Sequence, residues 1–357
     1  MSEITKQRRE TAKPEDNGNS SASGQLVGLD IGYGFTKVIR DDGEQVMFPS
    51  AVAAVPPTPA GKFVDIQAED EVMVGRIRCI VGERAIGQHQ RYSNLHVHSV
   101  WYDSTAYKAI IAHAKRSIPA RSSIVTGLPL HQFIAPDARD AVKETVKAGL
   151  HAKEVRIMPQ GVGAYFSAPA FAHPTTKVAV VDIGTLTTEL IGMAGWDLLN
   201  EMSAGHVLGV HDIFVTVAQE LTGKLGRSVD SYEVDRAYRG EGDIRYEGRA
   251  YHQETIKERV TALARQRAGQ ILAKMVDLWG PHAAAFECVL FCGGGAKLLF
   301  PFLKTFRIGS VLVDDAQFAN ARGYLAIAKQ MYKTPERPST ATQPVLPAET
   351  NGQPATV

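Results

Sequence analysis

The chain has 357 residues, of which 44% are hydrophobic and 22% charged, enough for two domains that each bury a core. Its 39 basic residues stand against 38 acidic ones, which leaves no electrostatic footprint for a dedicated binder of nucleic acid or of an anionic membrane, so any contact with DNA needs a partner. No apolar run approaches the roughly 18 residues of a membrane helix, and three cysteines, Cys79, Cys288 and Cys292, with nothing like a signal peptide ahead of them, predict a reducing cytoplasm.

Residues 1–24, ending in EDNGNSSASG, lack apolar periodicity and predict a disordered tail; the Pro- and Thr-rich residues 334–357 predict a second. Between them the pattern is mixed α/β. In GLDIGYGFTKV, Gly28 to Val38, a buried strand over Val27–Ile31 turns tightly into a returning strand over Thr36–Arg40, with a third strand at Gln45–Phe48. Gly32 and Gly34 lie at the turn, where backbone N–H groups lacking a neighbouring Cβ approach a phosphate closely. Lys37 adds a compact positive charge and Thr36 a hydroxyl. Asp30 cannot face phosphate and is better suited to holding water around magnesium. The stretch fits neither GxxxxGK[ST] nor GxGxxG, and an ordinary glycine-rich hairpin carries the same pattern.

Further on, GQHQRYSNLHVHS holds His89, His96 and His98, of which the last two share one strand face; a zinc site there lacks a cysteine or carboxylate at ligand spacing. Arg76, Arg78, Arg84 and Arg91 read as a solvated face. A helix over Ser104–Arg116 turns Tyr107, Ile110 and Ile111 inward. A strand at Ser123–Thr126, a helix at Pro136–Ala148 and a strand at Val155–Met158 lead to MPQGVGAYF. There Gln160 stands just ahead of a helix beginning at Gly161, and a neutral amide in that position orients a water without activating it strongly.

The first design then returns in VAVVDIGTLTTEL. Val178–Asp182 is a strand ending in an acid, Gly184 the turn glycine, Thr185, Thr187 and Thr188 the hydroxyls, and Thr187–Gly192 the returning strand. Two hairpins of one design predict a duplicated domain, with Asp30 and Asp182 facing each other across a cleft around a hydrated cation. Helices follow at Val210–Leu221, Val229–Tyr238 and Gln253–Trp279, the last with Ile256, Val260, Leu263, Ile271, Met275 and Leu278 at helical spacing. In VLFCGGGAKLL, Cys288 and Cys292 border a buried strand at Val289–Phe291 and pack as small hydrophobes. Gly293, Gly294 and Gly295 let a flat ring or phosphate approach the backbone ahead of a helix from about Ala296. A strand at Ser310–Val313 and a helix at Gln317–Tyr332 close the pattern.

The ordered set GLDIGYGFTKV, MPQGVGAYF, VVDIGTLTTEL, FCGGGAKLL and NARGYLAIA resembles the actin-like ATPase superfamily over residues 26 to about 332. Within it, the DIGYG opening and the following Phe48, Pro49 and Ser50 are similar to the ParM/StbA plasmid-partition group. The resemblance implies an actin-like (ribonuclease H-like) α/β fold, duplicated into two five-stranded domains with a nucleotide cleft between them. Residues 25–168 would form the first domain, with a small subdomain at about 60–100 and completion by about 319–332; residues 175–318 would form the second. Connecting helices at Gly161–Ser167 and Ala319–Ala328 would hinge them.

Carried over by position, the resemblance implies that Asp30 and Asp182 hold Mg2+ through water, and that Lys37 and the backbone of Gly32, Tyr33, Gly34 and Phe35 hold phosphates of ATP or ADP. Gly184, Thr185 and Thr187 would face the γ-phosphate, Gln160 would position the hydrolytic water with Asp182 as the second catalytic group, and Gly293, Gly294 and Gly295 would bracket adenine and ribose. The implied chemistry is ATP hydrolysis coupled to filament assembly and disassembly, with further copies of the chain as partners and a DNA-binding adaptor linking the filament to plasmid DNA. The four arginines would then border the next subunit. Leu186 departs from the family, which has glycine near this point, and is expected to narrow the approach to the γ-phosphate. A small-molecule kinase of the same fold is one alternative, against which Gln160 is a poor base. A nucleotide-switched scaffold with little turnover is another.

Overall fold

The computed structural model describes residues 25–55, 70–86, 88, 101–168 and 176–332. The two expected tails lie outside the described residues, as do Arg91 and the histidines His89, His96 and His98 of the zinc expectation. Among the described residues no helix is long and apolar enough to cross a membrane.

The chain opens with an antiparallel meander of β1 (Leu26–Ile31), β2 (Phe35–Arg40) and β3 (Gln45–Pro49). Next come β4 (Val52–Ala54), β5 (Glu71–Val74) and β6 (Ile77–Val81), a small sheet in the order β4-β6-β5 with α1 (Glu83–Ile86) beside it. This small sheet escapes the sequence pattern because its strands are short and change partner at tight glycine turns, Gly75 and Gly82 both having positive φ. Arg78 of β6 and Arg84 of α1, both partly exposed, approach Glu71 and Asp70 at 3.8 and 3.9 Å, and Arg76 is exposed. Helix α2 (Thr105–Ala114) starts at Ser104, whose side chain accepts the Tyr107 N–H, and buries Tyr107, Ile110 and Ile111. Then β7 (Ser123–Leu128), α3 (Leu130–Phe133), α4 (Pro136–Leu150) and β8 (Glu154–Pro159) complete a five-stranded sheet ordered β3-β2-β1-β7-β8, in which β1, β7 and β8 run parallel.

After α5 (Val162–Ser167) the plan repeats. Strands β9 (Lys177–Ile183), β10 (Thr188–Ala194) and β11 (Asp197–Leu198) form the second meander, and β12 (Ala204–His206) pairs with β10 as an extra strand beyond the five expected. Helices α6 (His211–Leu225) and α7 (Ser231–Arg239), the hairpin of β13 (Arg245–Tyr246) and β14 (Arg249–Ala250), and α8 (Gln253–Trp279) come next. Finally β15 (Cys288–Cys292), α9 (Ala296–Leu303) and β16 (Ser310–Leu312) give the order β11-β10-β9-β15-β16, matching the first sheet strand for strand. The buried seam of α8 runs Ile256, Val260, Ala264, Ala268, Ile271, Met275, Trp279; Leu263 and Leu278 lie at its margin, partly buried against the same cluster.

The last helix, α10 (Ala319–Tyr332), returns to the first sheet and crosses α5 on the way. At the crossing the two backbones touch. A Cβ on Gly323 would lie 1.6 Å from the carbonyl oxygen of Gly163, and one on Gly163 would lie 2.6 Å from that of Asn320. Where α10 lies on β1, a Cβ on Gly28 would lie 2.0 Å from the carbonyl oxygen of Ala321. These obstacles are backbone atoms, which cannot rotate away.

Replacing Gly323 by Ala therefore forces the two helices apart, with an expected loss of about 3 kcal/mol or more. Gly269→Ala, on a face of α8 with nothing within 4 Å of the added Cβ, is expected to gain about 1 kcal/mol of helix propensity. Urea unfolding midpoints of the two variants against the unchanged chain check both signs.

Candidate functional site

Both meanders turn through two residues. Gly32 N–H donates to Phe35 O at 3.1 Å around Tyr33 and Gly34, and Gly184 N–H donates to Thr187 O at 2.8 Å around Thr185 and Leu186. Strand register then places one residue of β2 opposite Asp30 and one of β10 opposite Asp182. In the first hairpin it is Lys37; in the second it is Glu189. Sequence reasoning singled out Lys37 and passed over Glu189, although both follow their acid by seven residues.

That difference sets the charge of the site. Lys37 Nζ lies 3.0 Å from Asp30 Oδ2, and Gln160 Nε2 donates to Asp30 Oδ1 at 3.4 Å. Asp182 faces no such cation at contact distance. Burial pushes its carboxyl up to about 6, with the charge of Asp30 adding to the rise and a hydrogen bond from Asn320 opposing it. Glu189, 1% exposed, is pushed up to about 8, first by burial and then by Asp182, while the Leu130 N–H donates to its Oε2 at 3.1 Å. Three carboxylates thus share one cleft with a single lysine.

The cleft holds about 560 Å³ of empty space, part of it open to solvent. Its walls include Asp30, Lys37, Gln160 and Asp182, the turn residues Gly32 to Phe35, and Gly184, Thr185 and Thr187. Tyr33 offers the cleft its backbone, because its ring leans on Trp101 with centroids 4.6 Å apart and burial raises its phenol to about 12. Gly161 carries φ +85° and would place a Cβ 2.8 Å from Ile191, so the bend that presents Gln160 needs glycine for its backbone and for its space.

The glycine cluster divides. Gly293, at φ +89°, would place a Cβ 2.4 Å from Asp182 Oδ1, and Gly294 is open toward Gln317. Gly295 does not border the cleft: its missing Cβ makes room for Val210 and Ile183, so its smallness serves packing. Gln317 and Asn320, both on the approach to or start of α10, border the cleft and were passed over; their only sequence signal is their place at and just ahead of NARGYLAIA.

Leu186 corrects an expectation. It does not narrow the cleft but lies 8% exposed in the apolar cluster that also holds Tyr33, Trp101 and Tyr107 of the first domain. One residue earlier, Thr185 meets the opposite turn so closely that a Cβ on Gly34 would lie 2.2 Å from Thr185 Oγ1. The second hairpin therefore docks on the first, with Leu186 as an apolar peg. Farther out, Arg239 stacks on Phe35 at 5.6 Å, Tyr232 packs against the small sheet, and Arg236 approaches Glu83 at 3.8 Å. The cleft is closed along this side.

Two matched hairpins on twin sheets, joined by crossing helices, define an actin-type two-domain fold. Residues 28–163 match the family model for the actin like proteins N terminal domain, and residues 180–305 match that for the archaeal actin homologue MreB-like, C-terminal domain. The chain belongs to the actin-like ATPase superfamily. It is 25% identical over 333 residues to the archaeal actin homologs of Thermoplasma volcanium and Thermoplasma acidophilum, covering 85% of this chain and 99% of each relative. Among solved structures it is similar to a 15-stranded ParM filament from Clostridium botulinum, with a TM-score of 0.68, 24% identity, and coverage of 86% of this chain and 99% of that one. It is also similar to an archaeal actin homolog in complex with ADP, with a TM-score of 0.69, 22% identity, and coverage of 85% and 99%.

The raised Glu189 carboxyl sets a direction for stability. Between its usual value of 4.5 and about 8 the folded chain keeps a proton that the unfolded chain has released. That contribution is fully present below pH 4.5 and is lost as pH rises through 8, at roughly 1.4 kcal/mol for each pH unit between those limits. In buffer free of metal and nucleotide, the unchanged chain should lose stability relative to Glu189→Gln as pH rises from 4.5 to about 8, read from urea midpoints. Parallel curves would contradict the assignment.

Proposed function

We propose that this chain binds ATP with magnesium between its two hairpins, hydrolyses it, and assembles with further copies of itself into filaments whose turnover follows the nucleotide. The observation that carries the reading is the pair of matched acids, Asp30 and Asp182, each near the end of the first strand of a tight glycine hairpin and both facing one cleft. The donor set fits a hydrated divalent cation. Three carboxylates against one lysine leave a deficit of positive charge, and among the described residues no three side chains converge to ligate a metal directly, so water would complete the shell. Bound there, magnesium would neutralise phosphate charge as it develops during transfer to water.

The chain's own groups divide the remaining work. Lys37 and the N–H groups of Gly32 to Phe35 hold phosphate from the first domain; Gly184, Thr185 and Thr187 hold it from the second. Gln160, fixed to Asp30 at 3.4 Å, has its carbonyl oxygen available to orient a water. Gly293 and Gly294 leave the approach from Gln317 open for adenine and ribose, while the missing Cβ of Gly295 makes room for Val210 and Ile183. ADP in one similar structure and the filament form of another support the nucleotide and the assembly respectively. Membership of the ParM/StbA group, transport of plasmid DNA and an adaptor that binds it complete the proposal, the near-neutral charge giving no direct hold on DNA. A kinase reading is disfavoured because Gln160 is a poor base and the Oε2 of Glu189 is engaged by Leu130.

Right-angle light scattering with parallel phosphate release, in Mg-ATP across a protein concentration series, is expected to show a sharp critical concentration and scattering that decays as phosphate accumulates. Flat scattering with tight ATP binding would overturn the filament. Gln160→Ala should slow phosphate release by about 100-fold, in the range of general acid–base and positioning effects, while filaments still form and persist longer. Unchanged release would remove Gln160 from the mechanism.

A further inference from the structure

We propose that Asn320 is a positioning residue: one buried amide ties the carboxylate of Asp182 to the helix crossing that hinges the two domains. The inference rests on the nucleotide reading above and assigns the cleft a part that reading lacks. A primary amide has an acceptor oxygen and a donor nitrogen, and the two ends of this one serve different domains. Its Oδ1 accepts from Gly161 N–H at 3.0 Å and Ala164 N–H at 3.2 Å, donors at the start of α5 that no side chain of their own segment satisfies. Its Nδ2 donates to Asp182 Oδ2 at 2.7 Å. The orientation of the amide is fixed by its partners, since the flipped form would set a donor against two N–H groups.

Geometry forces this reach. Asn320 is 6% exposed and stands one turn before Gly323, where α10 and α5 touch backbone to backbone. Only at such a close crossing can an amide on one helix cap the other and still extend to β9. With its Oδ2 held by Asn320, Asp182 keeps Oδ1 toward Gly293, where the glycine leaves the space. Capping α5 needs the oxygen of Asn320 alone; the bond from its nitrogen to Asp182 has no part in the cap. Rotation of the domains about the crossing thus carries the hinge's position directly to the carboxylate that faces the cleft.

A test separates the two ends of the amide. A fluorescent ATP analogue is titrated into the full chain in excess magnesium and in EDTA, and the ratio of the two affinities gives the gain due to magnesium. Asn320→Ala should reduce that gain about tenfold, the lower end for groups that orient a metal's ligands. Asn320→Asp, which keeps an acceptor for Gly161 and Ala164 but offers Asp182 no donor, should reduce it as well while retaining a Tm nearer that of the unchanged chain. In an Asp182→Ala background, Asn320→Ala should change the gain less than twofold further. A magnesium gain within twofold of the unchanged chain in both variants, whatever their Tm, would overturn the proposal and leave Asn320 a helix cap. An unchanged chain that binds the analogue in neither buffer would overturn the nucleotide reading and this inference with it.

Discussion

The contact of Gly163 with Gly323 governs how the two halves of the molecule face each other. Two helices of ordinary side chains cross at 8–10 Å, and at that spacing the twin sheets would sit farther apart. With hydrogen atoms as the side chains of Gly163 and Gly323 where they meet, α5 and α10 approach until backbone meets backbone. The first hairpin then comes opposite the second, the Gly34 turn touches Thr185, and Leu186 reaches the apolar cluster of the first domain. A single pair of glycines thereby allows the cleft to close as a unit.

Within the closed cleft the electrostatic balance is unequal by design of the duplication. The same register position carries Lys37 in one hairpin and Glu189 in the other. The first acid is therefore neutralised by its own strand partner, and the second faces another acid. Burial raises both carboxyls above their usual values, with the charge of Asp30 adding to the rise at Asp182 and that of Asp182 adding to the rise at Glu189. A cation bound in the cleft would favour their charged forms. On the proposed reading, cation binding would therefore stabilise the folded chain, as linkage between binding and stability requires.

Much of this was legible in the sequence where periodicity or a repeated motif carried the signal. Helix α8 has the bounds its apolar spacing predicts, and the two DIG hairpins fall where acid, glycine and hydroxyls recur. The family likeness of the whole chain was legible too. What escaped depended on contacts between distant segments. Leu186 reads as an obstruction in its own loop and becomes a peg once the opposite domain is present. Gly295 reads as part of a ligand loop, and its smallness answers to Val210 and Ile183. Glu189 could have been found by laying the second hairpin on the first at the seven-residue offset. Asn320 opens NARGYLAIA, but nothing local shows its role, since its partners lie 138 to 159 residues away. The small β4-β6-β5 sheet escaped because strands of 3 to 5 residues carry too little alternation to read.

The central claim, that the closed hairpin cleft is a magnesium–nucleotide site, is tested most directly by a crystal structure of the full chain grown with Mg-ADP. The account predicts diphosphate density between the turn at Gly32–Phe35 and the turn at Gly184–Thr187, with a hydrated cation between Asp30 and Asp182. Nucleotide bound elsewhere, or an empty cleft at a concentration that saturates binding in solution, would contradict it.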